Sequence, residues 1–392
     1  MAGAGPAGGA LPGTRVLRLA GGGGAGGARG GRGGAAAARA APREALEAVM
    51  GGRDLSGAEA EGALRALLAW DLEVDGDVAA RTAFVAALLA SLRTKGETAE
   101  EVAGLARAMQ AEMVRVDGVA EGTPVLDIVG TGGDGAGTVN ISTGACLVAA
   151  AAGARVAKHG SRSVSSLCGS ADVVEALGVA VELGPSGVAE TISKCGMGFM
   201  FAPRFHPAMG TVKAARQALK VRTVFNILGP MLNPAGCKHS LVGVFSKEVM
   251  PLMAGALRDL GQERALVVHS AGLDELTPCA PADVLEIRRG EELRSYTVDP
   301  RDLGVPPCTL EDLKGGDRDT NAQMLRDVFG GQKGPVADAL NLNAAFALAA
   351  NGLAKSPAEG LAMAREAQES GGAGRVLEAW SKESHAQKAL ET

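Results

Sequence analysis

The sequence predicts an α/β fold: a large domain whose mostly parallel sheet is covered by helices, preceded by a small all-helical domain. Three observations carry this prediction. From Glu44 to about Gly118 the apolar residues recur at helical spacing only. From Val125 onward, short apolar runs alternate with helical stretches over short connections, the signature of parallel strands joined by crossover helices. Two glycine-bearing loops each follow one of those apolar runs and lead into a helical stretch.

The first 43 residues stand apart. Glu44 is the first acidic residue, and everything before it is Ala, Gly and Pro punctuated by Arg15, Arg18, Arg29, Arg32, Arg39 and Arg43. Such a segment buries too little apolar area to offset its ordering entropy, so residues 1–43 are expected to be disordered. Rich in Arg and free of acid, they resemble an organelle transit peptide, although Ser is scarce.

Glu44 to Met50 opens an amphipathic helix. Ser56-Gly57-Ala58-Glu59 forms a capping box for a second helix, to about Trp70. Gly76 to Leu92 and Thr98 to Val114 are expected as two more. In the large domain, strands are expected at Val125 to Val129, Ala154 to Ala157, Val179 to Val181, Ser240 to Phe245, Ala265 to Val268 and Val284 to Ile287. Helices are expected at Ser142 to Ala152, Ala171 to Leu177, Ser186 to Cys195, Pro207 to Leu219, Val249 to Leu260, Asn321 to Phe329, Ala337 to Ala350 and Pro357 to Glu369. In such a sheet ligands bind off the carboxyl ends of the strands, where both glycine loops fall.

Composition narrows the ligand. Of 392 residues, 46% are hydrophobic and 3% aromatic, so the core must be Ala, Val and Leu in close packing. A net charge of −5 lacks the basic footprint of a nucleic-acid binder, and so few aromatics offer no stacking platform for single strands. No apolar run reaches the ~18 residues of a transmembrane helix. Cys146, Cys168, Cys195, Cys237, Cys279 and Cys308 show no C-x-x-C spacing, so reduced core thiols are expected rather than a zinc site.

The first loop, Gly130-Thr131-Gly132-Gly133-Asp134-Gly135, lets backbone approach a ligand without Cβ clashes. Thr138, Ser142 and Thr143 add hydroxyls near a helix start, where free N–H groups favour an anion such as phosphate. The second loop runs Lys158-His159-Gly160-Ser161-Arg162-Ser163-Val164-Ser165-Ser166 and leads to Gly169-Ser170-Ala171-Asp172. Lys158 suits phosphate as a point charge. His159 either orients an aryl carboxylate or caps the turn. Asp274 and Glu275, in a loop just past a strand end, suit Mg²⁺, which keeps waters and also binds substrate phosphates. Arg216 offers a fork for a carboxylate, and Lys213 shares its helix face.

These elements, in this order, resemble the anthranilate phosphoribosyltransferase family. The motifs are G-T-G-G-D-G, N-I-S-T, K-H-G-x-R-x-V-S-S, G-S-A-D-V-x-E-A-L-G, G-L-D-E and R-T-V-F-N-I-L-G-P-x-x-N-P, and the likeness runs from about Ser56 to the C-terminus. The resemblance implies transfer of the 5-phosphoribosyl group from phosphoribosyl pyrophosphate to the amino group of anthranilate, in tryptophan synthesis. It implies a donor site of Gly130, Gly133, Asp134, Thr138, Asn140, Ile141, Ser142, Thr143, Lys158, His159, Gly160, Arg162, Ser163, Ser165, Ser166 and Ser170. It implies an acceptor site of Gly130, His159, Ser161, His206 and Arg216. Mg²⁺ would sit on Asp274 and Glu275, with Ser142 contributing to one ion; Lys158, Asp274 and Glu275 would be catalytic.

The family fold also implies that a segment near 204–222 completes the helical domain of residues 44–118. Residues 119–203 and 223–392 then form the large domain. A homodimer is implied, as is a plastid stroma location in preference to a mitochondrion, because the pathway belongs to the plastid in plants and algae. Ser161 departs from the family's Asn, a contact to anthranilate, and Lys220 departs from the family's Gly. If Lys220 is a left-handed helix cap, the departure costs about 1 kcal/mol. Pyrimidine nucleoside phosphorylases share the architecture, and a non-catalytic nucleic-acid-binding relative is the other alternative.

Overall fold

In the computed structural model, residues 31–70, 78–119, 124–163 and 167–391 are described, with side chains from residue 41. Four helices come first: α1 (Gly31–Met50), α2 (Gly57–Leu68), α3 (Val78–Lys95) and α4 (Ala99–Ala111). Ser56 and Glu59 close the expected capping box on α2, with Ser56 N–H donating to Glu59 Oε2 at 2.8 Å. A second box, Thr98 with Glu101, starts α4. Glu101 is fully buried there and accepts from Leu55 N–H at 2.8 Å and Lys95 Nζ at 3.0 Å.

Helix α1 starts ahead of Glu44, so residues 31–43 are helical backbone rather than unstructured chain. Their alanines are the best intrinsic helix formers. The rest of the expected transit segment, residues 1–30, lies outside the described residues, as does Gly76, the expected start of the third helix.

The chain continues with β1 (Val125–Gly130), α5 (Ile141–Ala151), β2 (Arg155–Gly160), α6 (Ser170–Ala176), α7 (Pro185–Cys195), β3 (Met197–Phe201), α8 (Ala202–Phe205), α9 (Met209–Leu219), β4 (His239–Gly243), α10 (Val249–Asp259), β5 (Arg264–Ser270), β6 (Ala282–Arg288), β7 (Arg294–Val298), α11 (Arg318–Phe329), α12 (Pro335–Asn351), α13 (Pro357–Glu369) and α14 (Gly372–Leu390). The strands form one seven-stranded sheet in the order β3-β2-β1-β4-β5-β6-β7. The first five pair in parallel; β6 and β7 are antiparallel.

Strand alternation sorts the core. Leu266 and Val268 face a cluster built with α5 and α12, whereas Ala265 and Val267 face α10 and the N-terminal helices. Helix α9 returns to those helices: Val212 and Ala215 are buried with Leu88 and Leu92 of α3. Among the described residues, no helix is long and apolar enough to cross a membrane.

One expected strand is absent, and three elements were not expected. Val179 to Val181 is not a strand: both valines are buried, but Ala180 N–H is taken by Ser384 Oγ of α14 at 2.9 Å. The edge strand is instead β3, Met-Gly-Phe-Met-Phe, buried along its whole length. The exposed strand β7 and helix α14 were not expected from the sequence. Strand β7 has no apolar run, and α14 buries only a few residues, Leu377 and Trp380 among them.

Candidate functional site

The parallel strands end in Gly130, Gly160, Gly243 and Ser270, and the site is built over these ends. After β1, Gly132, Gly133, Gly135 and Gly137 all take positive φ, between 65° and 81°, which only glycine adopts without strain. Gly130 serves differently: a Cβ there would collide with the Asp274 carboxylate. Gly243 has no room either, because the Asp274 carbonyl lies against it. The loop carrying Asp274 and Glu275 is thus pressed onto two bare backbones.

Asp274 Oδ2 accepts from Gly132 N–H at 2.6 Å, and Glu275 Oε1 accepts from Ser142 N–H at 3.0 Å. The loop is braced from behind by Asn343, whose Nδ2 donates to the Leu276 carbonyl at 2.7 Å and whose Oδ1 accepts from Leu276 N–H at 3.1 Å. Burial, and then the nearby Asp134, raise the Asp274 carboxyl well above the usual range. Burial and then Asp274 raise Glu275 likewise, with Lys158 opposing. Lys158 is 2% exposed and spans β2 to β1, donating to the Ile128 carbonyl at 2.8 Å and reaching Ser142 Oγ at 3.4 Å.

Crowded, oxygen-only carboxylates with too little positive charge suit a hard divalent cation. Among the described residues, no three His, Cys, Asp or Glu groups are placed to hold a metal unaided. Asp274 and Glu275 therefore fit Mg²⁺ shared with a phosphate ligand, the usual way this ion is held.

The second loop is folded by Asp172, which accepts from Gly169 N–H at 2.9 Å and Ser163 N–H at 3.1 Å. Ser170 Oγ donates to the Ser161 carbonyl at 3.2 Å and leaves Gly160 no space for a Cβ. Ser165 and Ser166 lie outside the described residues. Thr138 bridges to Lys314, Asp134 Oδ1 accepts from Ala136 N–H at 3.1 Å, and the buried Thr143 hydroxyl has no partner among the described residues.

Four expected site residues are engaged within the protein. Arg162 pairs with Asp172 at 3.0 Å and Glu175 at 2.9 Å, so its charge is already matched. Asn140 donates to the Cys168 carbonyl at 3.2 Å and accepts from Asn321 at 3.0 Å, tying the two loops together. Ile141 is in the core, with its N–H on Val139. His159 has both ring nitrogens occupied: Nδ1 donates to the Gly229 carbonyl at 3.3 Å, and Nε2 meets His206 Nε2 at 3.1 Å. Burial lowers His159 to about 3 and His206 to about 4, so both rings are neutral. His159 is thus a structural partner of His206, and neither is a charged ligand.

Arg216 on α9 contrasts with these. It lies over the Phe225 ring at 5.6 Å, and burial alone lowers its pKa, with no carboxylate among the causes. A half-buried guanidinium with no acid paired to it among the described residues suits an incoming carboxylate.

Two family models match the chain: the helical bundle domain of a glycosyl transferase family over residues 43–113, and the a/b domain of that family over residues 122–374. The anthranilate phosphoribosyltransferase of Methanosarcina acetivorans is 45% identical over 331 residues, 84% of this chain and 86% of the relative. The chain belongs to the anthranilate phosphoribosyltransferase family.

Solved structures of this family agree. The crystal structure of the Thermus thermophilus member is 44% identical, with a TM-score of 0.79, over 87% of this chain and 99% of that one. The Saccharomyces cerevisiae member in complex with PRPP and Mg is 28% identical, with a TM-score of 0.79, over 89% and 99%.

Of the two departures from the family pattern, Lys220 caps α9 in the left-handed region at φ 51°, and Ser161 is exposed on the second loop. Arg222 and Asn233 stand in the R-T-V-F-N-I-L-G-P-x-x-N-P motif without an expected role, and Asn343 and Lys314 were not expected at the site. Arg222 stacks on Phe245 at 4.2 Å and donates to the Gly133 carbonyl. Asn233 Nδ2 donates to the buried Asp127 at 2.7 Å and to the Ala157 carbonyl at 2.8 Å. A polar residue inside an apolar stretch, as with Asp127 and Asn343, was the available signal. Lys314, which donates to the Ala136 carbonyl at 2.6 Å, carried none.

Proposed function

We propose that this protein transfers the 5-phosphoribosyl group of phosphoribosyl pyrophosphate to the amino group of anthranilate, releasing pyrophosphate, in tryptophan biosynthesis. The observation that carries this is the convergence of the Gly130–Gly135 loop, Lys158 and the Asp274–Glu275 pair on one sheet edge, in a chain of this family.

Aryl amines are neutral near pH 7, so anthranilate needs no strong base to act as nucleophile. This agrees with a site whose histidines are neutral and committed to each other. The demand falls on the leaving group. Asp274 and Glu275 would hold Mg²⁺, and the ion would supply positive charge to offset that building on the departing pyrophosphate. Lys158, fixed between Ile128 and Ser142, adds a buried positive charge beside the same oxygens. The glycine loop brings backbone N–H groups to the donor phosphates. Arg216 grips the anthranilate carboxylate and aims the amine at the sugar, so positioning lowers the barrier further.

The direct test mixes purified protein with anthranilate, phosphoribosyl pyrophosphate and Mg²⁺ and follows anthranilate fluorescence. Loss of the signal only when all three are present is expected; an unchanged signal, with free base released from a nucleoside by inorganic phosphate, would point to a phosphorylase.

Two finer features are also proposed. One is a plastid location, supported by the acid-free, Arg-bearing stretch ahead of residue 43, where the family match begins. Import of a fusion carrying residues 1–43 into isolated plastids, and not into mitochondria, is the expected result. The other is a homodimer, resting on the family resemblance; a solution mass near twice 39.3 kDa would support it.

A further inference from the structure

Cys279 and Cys308 are 29 residues apart in the chain, yet the fold brings their sulfurs to 3.6 Å. The segments that carry them also touch through backbone, with Cys308 N–H donating to the Pro278 carbonyl at 3.4 Å. Both cysteines are half-buried, so a small reagent can reach them. A disulfide needs its sulfurs at about 2 Å, an approach that rotation of two cysteine side chains can supply.

The position of the pair gives it consequence. Cys279 follows directly on the segment holding Asp274 and Glu275. Cys308 precedes the stretch whose Leu313 carbonyl accepts from Val139 N–H at 2.9 Å and whose Lys314 donates to the Ala136 carbonyl at 2.6 Å. One side of the pair thus leads to the metal-binding carboxylates, and the other to the support of the first glycine loop.

We propose that Cys279 and Cys308 are a reversible dithiol–disulfide pair whose oxidation clasps the segment behind Asp274 and Glu275 to the segment that supports the first glycine loop. The oxidant is a small disulfide such as oxidised glutathione. Burial, and then Cys279, raise the Cys308 thiol, so Cys308 is slow to ionise. The Cys279 thiolate displaces one glutathione thiolate and forms a mixed disulfide. Cys308 then loses its proton and attacks Cys279 Sγ, forming the protein disulfide and releasing the second glutathione. Two protein thiols are oxidised by two electrons, and one small disulfide becomes two thiols.

The test equilibrates the full chain in mixtures of oxidised and reduced glutathione, quenches with acid and alkylates under denaturing conditions. Reduced protein should take six alkyl groups, one per cysteine. Oxidised protein should lose two of those six and yield a linked peptide containing Cys279 and Cys308 that dithiothreitol separates. Oxidation should also raise the melting temperature by roughly 5 °C, a shift absent from Cys308→Ser. Six alkyl groups in every mixture, glutathione retained on one sulfur, or a link to another cysteine would overturn the proposal. So would the same thermal shift in Cys308→Ser.

Discussion

Gly132 N–H donates to Asp274 Oδ2 at 2.6 Å, joining the first glycine loop to a carboxylate 142 residues later in the chain. Ser142 N–H and Glu275 Oε1 make the parallel connection at 3.0 Å. The backbone of the first glycine loop and the carboxylates of Asp274 and Glu275 are therefore one unit, and each holds the other in place.

Asp274→Ala combined with Glu275→Ala should lower turnover by at least about 100-fold and blunt its Mg²⁺ dependence. The melting temperature should hold or rise, because two crowded carboxyls, one buried and one half-buried, are removed. Steady-state rates against Mg²⁺ concentration, together with a thermal melt, decide it; unchanged rates would refute the metal assignment.

Gly130→Ala should act on the same unit from beneath. The new Cβ meets the Asp274 carboxylate, with Cγ at 2.9 Å, and must push the loop away. A displacement of that kind is expected to lower kcat by about 100-fold. Activity at saturating substrate checks it, and a wild-type rate would mean that the loop yields freely.

Arg216→Ala should raise the KM for anthranilate about 10- to 100-fold, the worth of a charge-assisted hydrogen bond, and change the donor KM far less. Equal effects on both substrates would show that Arg216 supports the fold rather than the acceptor.

Ser161→Asn should tighten anthranilate binding, since the exposed Ser161 side chain leaves room for the longer amide. A several-fold lower KM for anthranilate is expected, up to about 10-fold if the amide makes one good hydrogen bond. No change would mean that this loop meets the acceptor through other groups.

The neutral His159–His206 pair sets a pH dependence of stability. Their folded values, about 3 and about 4, lie below the ordinary 6.5, so the unfolded chain binds more protons in between. Their contribution is complete above pH 6.5 and is lost as pH falls from 6.5 toward 3. The melting temperature should drop through that window, and His159→Gln with His206→Gln should flatten the drop relative to the protein's own midpoint. An unaltered slope in the double variant would contradict the buried neutral pair.

Much of the site was legible because its determinants are local. Glycine spacing after a strand, N-I-S-T at a helix start and adjacent Asp-Glu in a loop are read within a few residues, and the fold places all three together. The misreadings are of another kind. Val179 to Val181 has the alternation of a strand, but the C-terminal helix supplies its partner; Met197 to Phe201 takes the sheet edge instead. The pairing of Arg162 with Asp172 and Glu175 was likewise not legible, because those carboxylates lie ten and thirteen residues further along the chain.

The sequence by itself determined the strand–helix alternation and the glycine loops, since hydrophobic periodicity and backbone freedom are properties of short segments. Only the tertiary structure decided which groups remain available to a ligand. Arg162 pairs with Asp172 and Glu175, His159 meets His206, Arg216 has no acid partner among the described residues, and Cys279 meets Cys308 across 29 residues. Charge pairing and thiol proximity depend on distances through space, and those exist only once the sheet has brought the loops to its edge.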